Sequence, residues 1–431
     1  MNLKGVRGIA VALVAVGALA LAGCSGAGGG SDAKGGSFTY WSMWSEKEPQ
    51  AKVIDAAIKA YEKETGAKVT VQWQGRNVLD QVTAGLAAGK TPDLVDQGYD
   101  KLGTALNSQD ALADLSDVWG MTNADGKKVA DVVNKSYVEK IPAYGGSSNK
   151  YLIPYTVSTV SLFYNANSPY VKEAPASYDD LLKDCAAAKA AGVGCIVSDS
   201  DAIWAAEYWF DYLLNRNAGD GAMKKLAEDK TGAEWDSAAV KKTAEQVHQL
   251  ITDGYVVSGY DASQYPAGET AWAQGQGVFY LTGSWVTAET AKTIGADWKY
   301  AGANFPSTGG SSADGVSVLP FGFAVPTAAK NADAAKAFIA YFSSEKYEGK
   351  ITTEASNLTA LKDGQAPAEL ASVKEVLSKA APRVTFDGEG GNYFSKVFDP
   401  AFGDLWLGKT TADQFVANGK AAHVQYWKAQ G

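Results

Sequence analysis

Between residues 37 and 98 the chain alternates strand-like and helix-like hydrophobic patterns, and this alternation limits the fold more than any other feature. "SFTYWSMW" (37–44) is aromatic and β-prone. "EPQAKVIDAAIKAYEKETG" then places Val53, Ile54, Ala57, Ile58 and Tyr61 at helical spacing before Gly66 stops the run. "AKVTVQW" alternates as a strand does, a helix is predicted over 78–88, and "TPDLVDQG" reads as another strand. A β-α-β-α-β order predicts the α/β class, with mainly parallel sheets flanked by helices. Ligands of such sheets sit at the carboxyl ends of strands, which here carry residues 44–48, 74–77 and 96–100.

Two longer apolar runs, "YLIPYTVSTVSLFYN" and "VSVLPFGFAVP", have the length to pass from one domain into another. Between them "SYDDLLKDCAAAKAAG" reads as a helix capped by Ser177, with acids in its first turn. Helices are also predicted over 203–215, 238–252, from 287, and in "NADAAKAFIAYFSS". The sequence shows no internal repeat.

The N-terminal segment reads as a targeting peptide and is set aside from the fold. Lys4 and Arg7 precede an apolar stretch over 9–21, shorter than the ~20 residues of a membrane span. It ends in "LAGC", which resembles the lipobox of bacterial lipoproteins and marks Cys24 for lipidation. Residues 1–23 are then the signal peptide and 24–36 a Gly/Ser-rich tether, holding a folded domain at the outer face of the cell membrane. Cys185 and Cys195 remain, an even number in an oxidising compartment, which points to a local disulfide; two buried free thiols are the other reading. The formal charge is −9, more negative still without the leader, and no long basic run remains, so nucleic acid is not an expected partner. His248 and His423 both read as solvated helix residues.

Seven pieces in order resemble the carbohydrate-binding family of extracellular solute-binding proteins of ABC transporters, which includes maltose-binding protein. They are the lipobox, "KVTVQW", "LAAGKTPDLV", "YLIPYTVSTVSLFYN", "GQGVFYLTGSW", "FGFAVP" and "AAKAFIAYFSS". The resemblance implies two α/β lobes joined by crossing hinge strands, residues 37–157 with 319–355 forming one lobe and 158–318 with 356–431 the other. It implies a monomer that closes on a sugar, with a membrane permease as partner and membrane contact only through the lipid anchor. No cofactor, metal or catalytic residue is implied.

Residue by residue, the resemblance places Trp285 of "GSW" on the cleft wall, stacked on a sugar face, with Gly283 and Ser284 leaving room for the sugar. Trp44, Glu46 and Glu48 follow the first strand. Asp96, Gln97 and Asp100 form the second binding loop, and Tyr155 lies at the first crossing. In "IWAAEYWFDYLLNR", Trp204, Glu207, Tyr208 and Asp211 share one helical face, and Trp209 matches a stacking aromatic of the maltose binder. Arg383 could fork onto hydroxyls, with Tyr393 or Phe394 as a further platform. Gln97 stands where maltose-binding protein has a tryptophan, and Ser158 where it has an acid, so its specificity does not carry over. The load of 12 tryptophans and 21 tyrosines favours an oligosaccharide. The competing readings are a non-sugar solute such as a polyamine, held by Trp44, Glu46, Glu48, Asp96 and Asp100, and a secreted glycoside hydrolase.

Overall fold

Strand β1 (Phe38–Ser42) alternates buried and half-buried positions and leads into the helix Pro49–Thr65. Proline opens that helix, where no N–H is needed. Gly66, at φ 74°, closes it by donating its N–H to the Glu62 carbonyl. Its buried face is Val53, Ile54, Ala57, Ile58 and Tyr61, as the periodicity predicts. Strand β2 (Val69–Trp73), the helix Val78–Ala88 and strand β3 (Leu94–Gly98) follow, and β1 pairs in parallel with both β2 and β3. Residues 36–431 are described in this computed structural model, and they form one compact unit. The leader, the tether and Cys24 lie outside the described residues.

Strand β4 (Ile153–Asn165), roughly 40 Å long at the usual rise per residue, joins two hydrophobic cores. Ile153, Tyr155 and Val157 are buried in the first core; Val160 and Leu162 are buried in the second. Burying such side chains is worth about 1.5–3 kcal/mol each, so β4 is fixed at both ends. The remaining strands are β5 (Gly194–Ile196), β6 (Gly277–Gly283), β7 (Tyr300–Ala303), β8 (Val316–Ala324), β9 (Leu358–Thr359) and β10 (Pro382–Val384). The sheet runs β2-β1-β3-β8-β4-β6-β5, with β10 on β8 and β7 and β9 on β4.

The fold is the two-lobed α/β arrangement expected, but the sheet is mixed rather than mainly parallel. Parallel pairs lie at β1–β2, β1–β3, β5–β6 and β8–β10, while β4 and β8 run antiparallel, Val157 opposite Pro320. The cause is the crossing: two strands that connect the same two lobes in opposite directions must pair antiparallel. Past Ala355 the chain stays beside the crossing strand. Leu358 and Thr359 pair with β4, and the Ser372 Oγ accepts the Gly302 N–H (2.8 Å).

The helix Tyr178–Ala190 carries the predicted cap, a reciprocal capping box between Ser177 and Asp180. Cys185 in this helix is bonded to Cys195 of β5; a loop this short contributes about 2.5–3 kcal/mol in the chain-entropy picture. One histidine departs from expectation. His423 is fully buried on the helix Ala412–Gln430, where its Nδ1 pairs with the Tyr393 hydroxyl (2.9 Å). A helix that looks polar in sequence still buries one stripe. Among the described residues no helix is long and apolar enough to cross a membrane.

Candidate functional site

The carboxyl ends of β1 and β3 build the first side of the site. Asp96 accepts the Met43 N–H (2.8 Å) and the Tyr155 hydroxyl (2.6 Å), and Tyr155 in turn accepts the Trp44 indole N–H (2.7 Å). Burial pushes the Asp96 carboxyl above its ordinary range, and the Tyr155 hydrogen bond opposes that shift. Arg76 lies over the Trp44 ring at 4.7 Å, donates to the Met43 carbonyl and pairs with Glu48 (2.5 Å). Burial works against the Glu48 carboxylate, but hydrogen bonds from Arg76 and the Ser45 N–H hold it below its ordinary value. Trp44 is thereby locked, with Asp96 and Tyr155 as its supports.

Asp100 begins the helix Tyr99–Ala105 and is half-buried; burial pushes its carboxyl up. With Arg76, Asn77, Thr104, Tyr144 and the glycines around Glu389 it lines a cavity of about 370 Å³. Burial also raises the Glu389 carboxyl, to about 7.

The second side is aromatic. Trp204, at the start of the helix Ile203–Ala218, is 41% exposed. Around it stand Tyr265 (5.9 Å), Tyr208 (6.1 Å) and Trp285 (6.2 Å). Phe386 extends the wall, stacked on Tyr208 at 5.7 Å and 19°. The loop that presents Phe386 holds two successive non-glycine residues at positive φ, Phe386 (54°) and Asp387 (53°). That conformation costs on the order of 1–2 kcal/mol per residue. It is offset by the Met223 N–H bond to Asp387 (2.9 Å) and by Phe394 against the Phe386 ring. Tyr208 links the two sides: burial first, and then the Asp100 charge, raises its hydroxyl pKa.

Trp285 answers for its small neighbours in an unexpected way. A Cβ on Gly283 would lie 2.0 Å from the Trp285 ring, so the glycine makes room for the indole and not for a sugar. Ser284 is buried, its Oγ accepting the Thr159 N–H, and Trp285 stays half-buried at the head of the helix Val286–Thr290.

Several sequence-predicted residues are placed elsewhere. Trp209 is 1% exposed and edge-on to Phe305, within the second core. Glu207 is buried beside Asp399: burial, then Asp399, pushes the Glu207 carboxyl well up, while the hydrogen bond from Glu207 opposes the burial that raises Asp399. Arg383 is 2% exposed and forks onto the Asp211 carboxylate, so it is not free for a hydroxyl. Tyr393 is buried against His423, and Phe394 packs on Phe398. Gln97 is buried with its Oε1 on the Gly98 N–H, and Glu46 is exposed. The acids named for a polyamine do not converge, because Glu48 is engaged by Arg76 and Asp96 is sealed beneath Trp44. Tyr265, Phe386, Glu269 and Glu289 were not singled out by the sequence. Only Glu289 had a readable signal, four residues after Trp285 and on the same helical face.

The profile of the family described as "Bacterial extracellular solute-binding protein" matches residues 44–349. The chain belongs to this family. This solute-binding protein is 24% identical over 234 residues to the diacetylchitobiose binding protein NgcE of Streptomyces coelicolor, covering 52% of this chain and 48% of that one. It is 30% identical over 129 residues to a maltooligosaccharide ABC transporter solute-binding lipoprotein of Streptococcus pneumoniae, covering 30% and 27%. The matches thus span half or less of those relatives' lengths. Among solved structures, apo RafE from Streptococcus pneumoniae superposes with a TM-score of 0.75 at 16% identity, over 92% of this chain and 99% of that one. The bacterial solute receptor AcbH, described as preferring β-D-galactopyranose, gives 0.73 at 20% identity, over 92% and 99%. At such identities the likeness is one of fold.

Proposed function

We propose that this solute-binding protein captures a sugar, an oligosaccharide in preference to a single ring, and hands it to the permease of an ABC importer. The observation that carries this reading is the aromatic wall of Trp204, Trp285 and Phe386, backed by the buried Tyr208 ring, on the same fold as Asp100 and Arg76. A pyranose has an apolar C–H face and a rim of hydroxyls; rings cover the first and charged or amide groups bond the second. The curated relatives named for diacetylchitobiose and maltooligosaccharide support the same class of ligand.

In this reading β4 and β8 are the hinge, the lobes being 37–157 with 319–355 and 158–318 with 356–431. Ligand touches both lobes only when they close, so it shifts the population toward the closed form that the permease reads. The protein acts as a monomer, performs no chemistry, and is held to the outer face of the membrane through lipid on Cys24. Titration calorimetry against a panel of oligosaccharides and polyamines tests it. Micromolar or tighter binding to one sugar family, with the sugar recovered intact, is the expected result. Binding of polyamines alone would overturn the ligand class, and shortened sugars would make the protein a hydrolase.

A further inference from the structure

Trp204 stands in the open, and Tyr265 and Trp285 flank it at about 6 Å. At the foot of this corner lie acids. Glu289 is exposed on the same helical face as Trp285, and the Tyr265 hydroxyl donates to it (2.9 Å). Behind it Glu269 is 4% exposed, and its Oε2 has no hydrogen-bond partner. Asp201 accepts the Tyr265 N–H, and buried Asp199 accepts the Gly268 N–H. Among the described residues, no lysine or arginine forms an ion pair with any of these four acids, whereas Glu48 and Asp211 each have an arginine.

A neutral hydroxyl could bond one carboxylate oxygen but would leave the cluster's charge uncompensated. A cation would compensate it and would also be drawn to the ring faces, whose quadrupole presents negative charge. We propose that the corner of Trp204, Tyr265, Trp285, Glu269 and Glu289 is a subsite for a protonated amine. The preferred sugar of this protein then carries a free ammonium group. The inference rests on the sugar-receptor reading and adds the ligand's charge to it.

A consequence follows for protons. Burial, then the neighbouring Glu289 charge, raises Glu269 to about 8, so at neutral pH it holds a proton where no cation is present. The groups that face it are Glu289 from the helix Val286–Thr290, Tyr265 from the preceding loop, Tyr280 from β6, Asp199 from the loop after β5, and Tyr300 from β7. None of these is a cation. An arriving ammonium favours the carboxylate and displaces the proton.

The test is calorimetry at pH 7 on the purified chain with matched sugars: glucosamine oligomers, their N-acetylated forms and the corresponding glucose oligomers, in both α-1,4 and β-1,4 linkage. The expected result is an amine-bearing sugar bound roughly tenfold or more tightly than its neutral counterpart, the scale of one desolvated cation–π and ion-pair contact. Glu289→Gln should abolish that preference; the position is exposed, and an unchanged melting temperature should show that the variant is folded. Titration in two buffers of different ionisation enthalpy should show proton release with the amine only, absent in Glu269→Gln. Equal affinity for amine and neutral sugar, or a preference that survives Glu289→Gln, overturns the subsite and leaves the sugar receptor standing. Binding of no sugar, charged or neutral, overturns both.

Discussion

At the ends of β1 and β3, Trp44, Tyr155 and Asp96 are 7%, 0% and 0% exposed and satisfy one another's polar atoms. Across from them, Trp204 is 41% exposed and the Glu269 Oε2 is without a partner. The first side has spent its hydrogen-bonding capacity on itself, so its residues hold a shape. The second keeps apolar area and acceptor capacity in reserve, which is what a ligand needs. The two sides should therefore answer mutation differently, the first through stability and the second through affinity.

The sharpest way to break this contrast is Asp96→Ala. It strands the Met43 N–H and the Tyr155 hydroxyl in a buried place, and an orphaned buried group costs about 1–3 kcal/mol. A loss of roughly 2–5 kcal/mol in unfolding free energy is expected, read by urea denaturation. If Asp96→Ala keeps its stability and loses only ligand, the first side is a binding surface after all.

Next in size is Trp285→Ala, or Trp204→Ala. Either should weaken sugar binding by about ten- to a hundredfold, equivalent to about 1.4–2.8 kcal/mol. For exposed Trp204 the accompanying change in stability should stay near 0.5 kcal/mol. Double substitution should cost less than the two effects added, because the rings touch. Unchanged affinity in both single variants would place the ligand elsewhere.

These expectations also mark what a sequence can disclose. The β-α-β-α-β opening, the crossing runs, the Ser177 cap and the Cys185–Cys195 pair were legible because each is written in local periodicity or spacing. The helix 203–216 was not. Its three-and-four spacing selects one face, but this helix is buried almost all round, so Glu207, Trp209 and Asp211 lie inside while only Trp204 projects. Arg383 could not be assigned because its partner Asp211 is 172 residues away. Phe386 depends on a loop conformation, and Tyr265 on where two loops meet, and neither has a period to read.

A third test uses pH. The folded-state pKa of Glu269 is raised from 4.5 to about 8, so the folded protein binds the extra proton between those values and loses stability as pH climbs through them. Thermal melts from pH 4.5 to 8 should show a fall that Glu269→Gln flattens. An amine ligand should restore the stability most at the upper end of that range.

The smallest effect expected comes from the charged edge of the first side. Glu48 is held below its ordinary carboxylate value, so its contribution is present above about pH 4.5 and is lost as pH falls through the lowered folded-state value. Its side chain is 28% exposed and its partner Arg76 51%, and pairs this open contribute about 0–1 kcal/mol. Glu48→Gln should thus cost at most a few tenths of a kcal/mol at pH 7, and less as pH falls through the lowered folded-state value. Arg76 keeps its hold on the Met43 carbonyl and the Trp44 ring in that variant, so Trp44 should stay in place and its fluorescence should not shift. A large loss at pH 7, with a shifted tryptophan spectrum, would mean that the edge charge and not the buried Asp96–Tyr155 network holds Trp44, and the contrast between a self-satisfied side and a receptive one would fall with it.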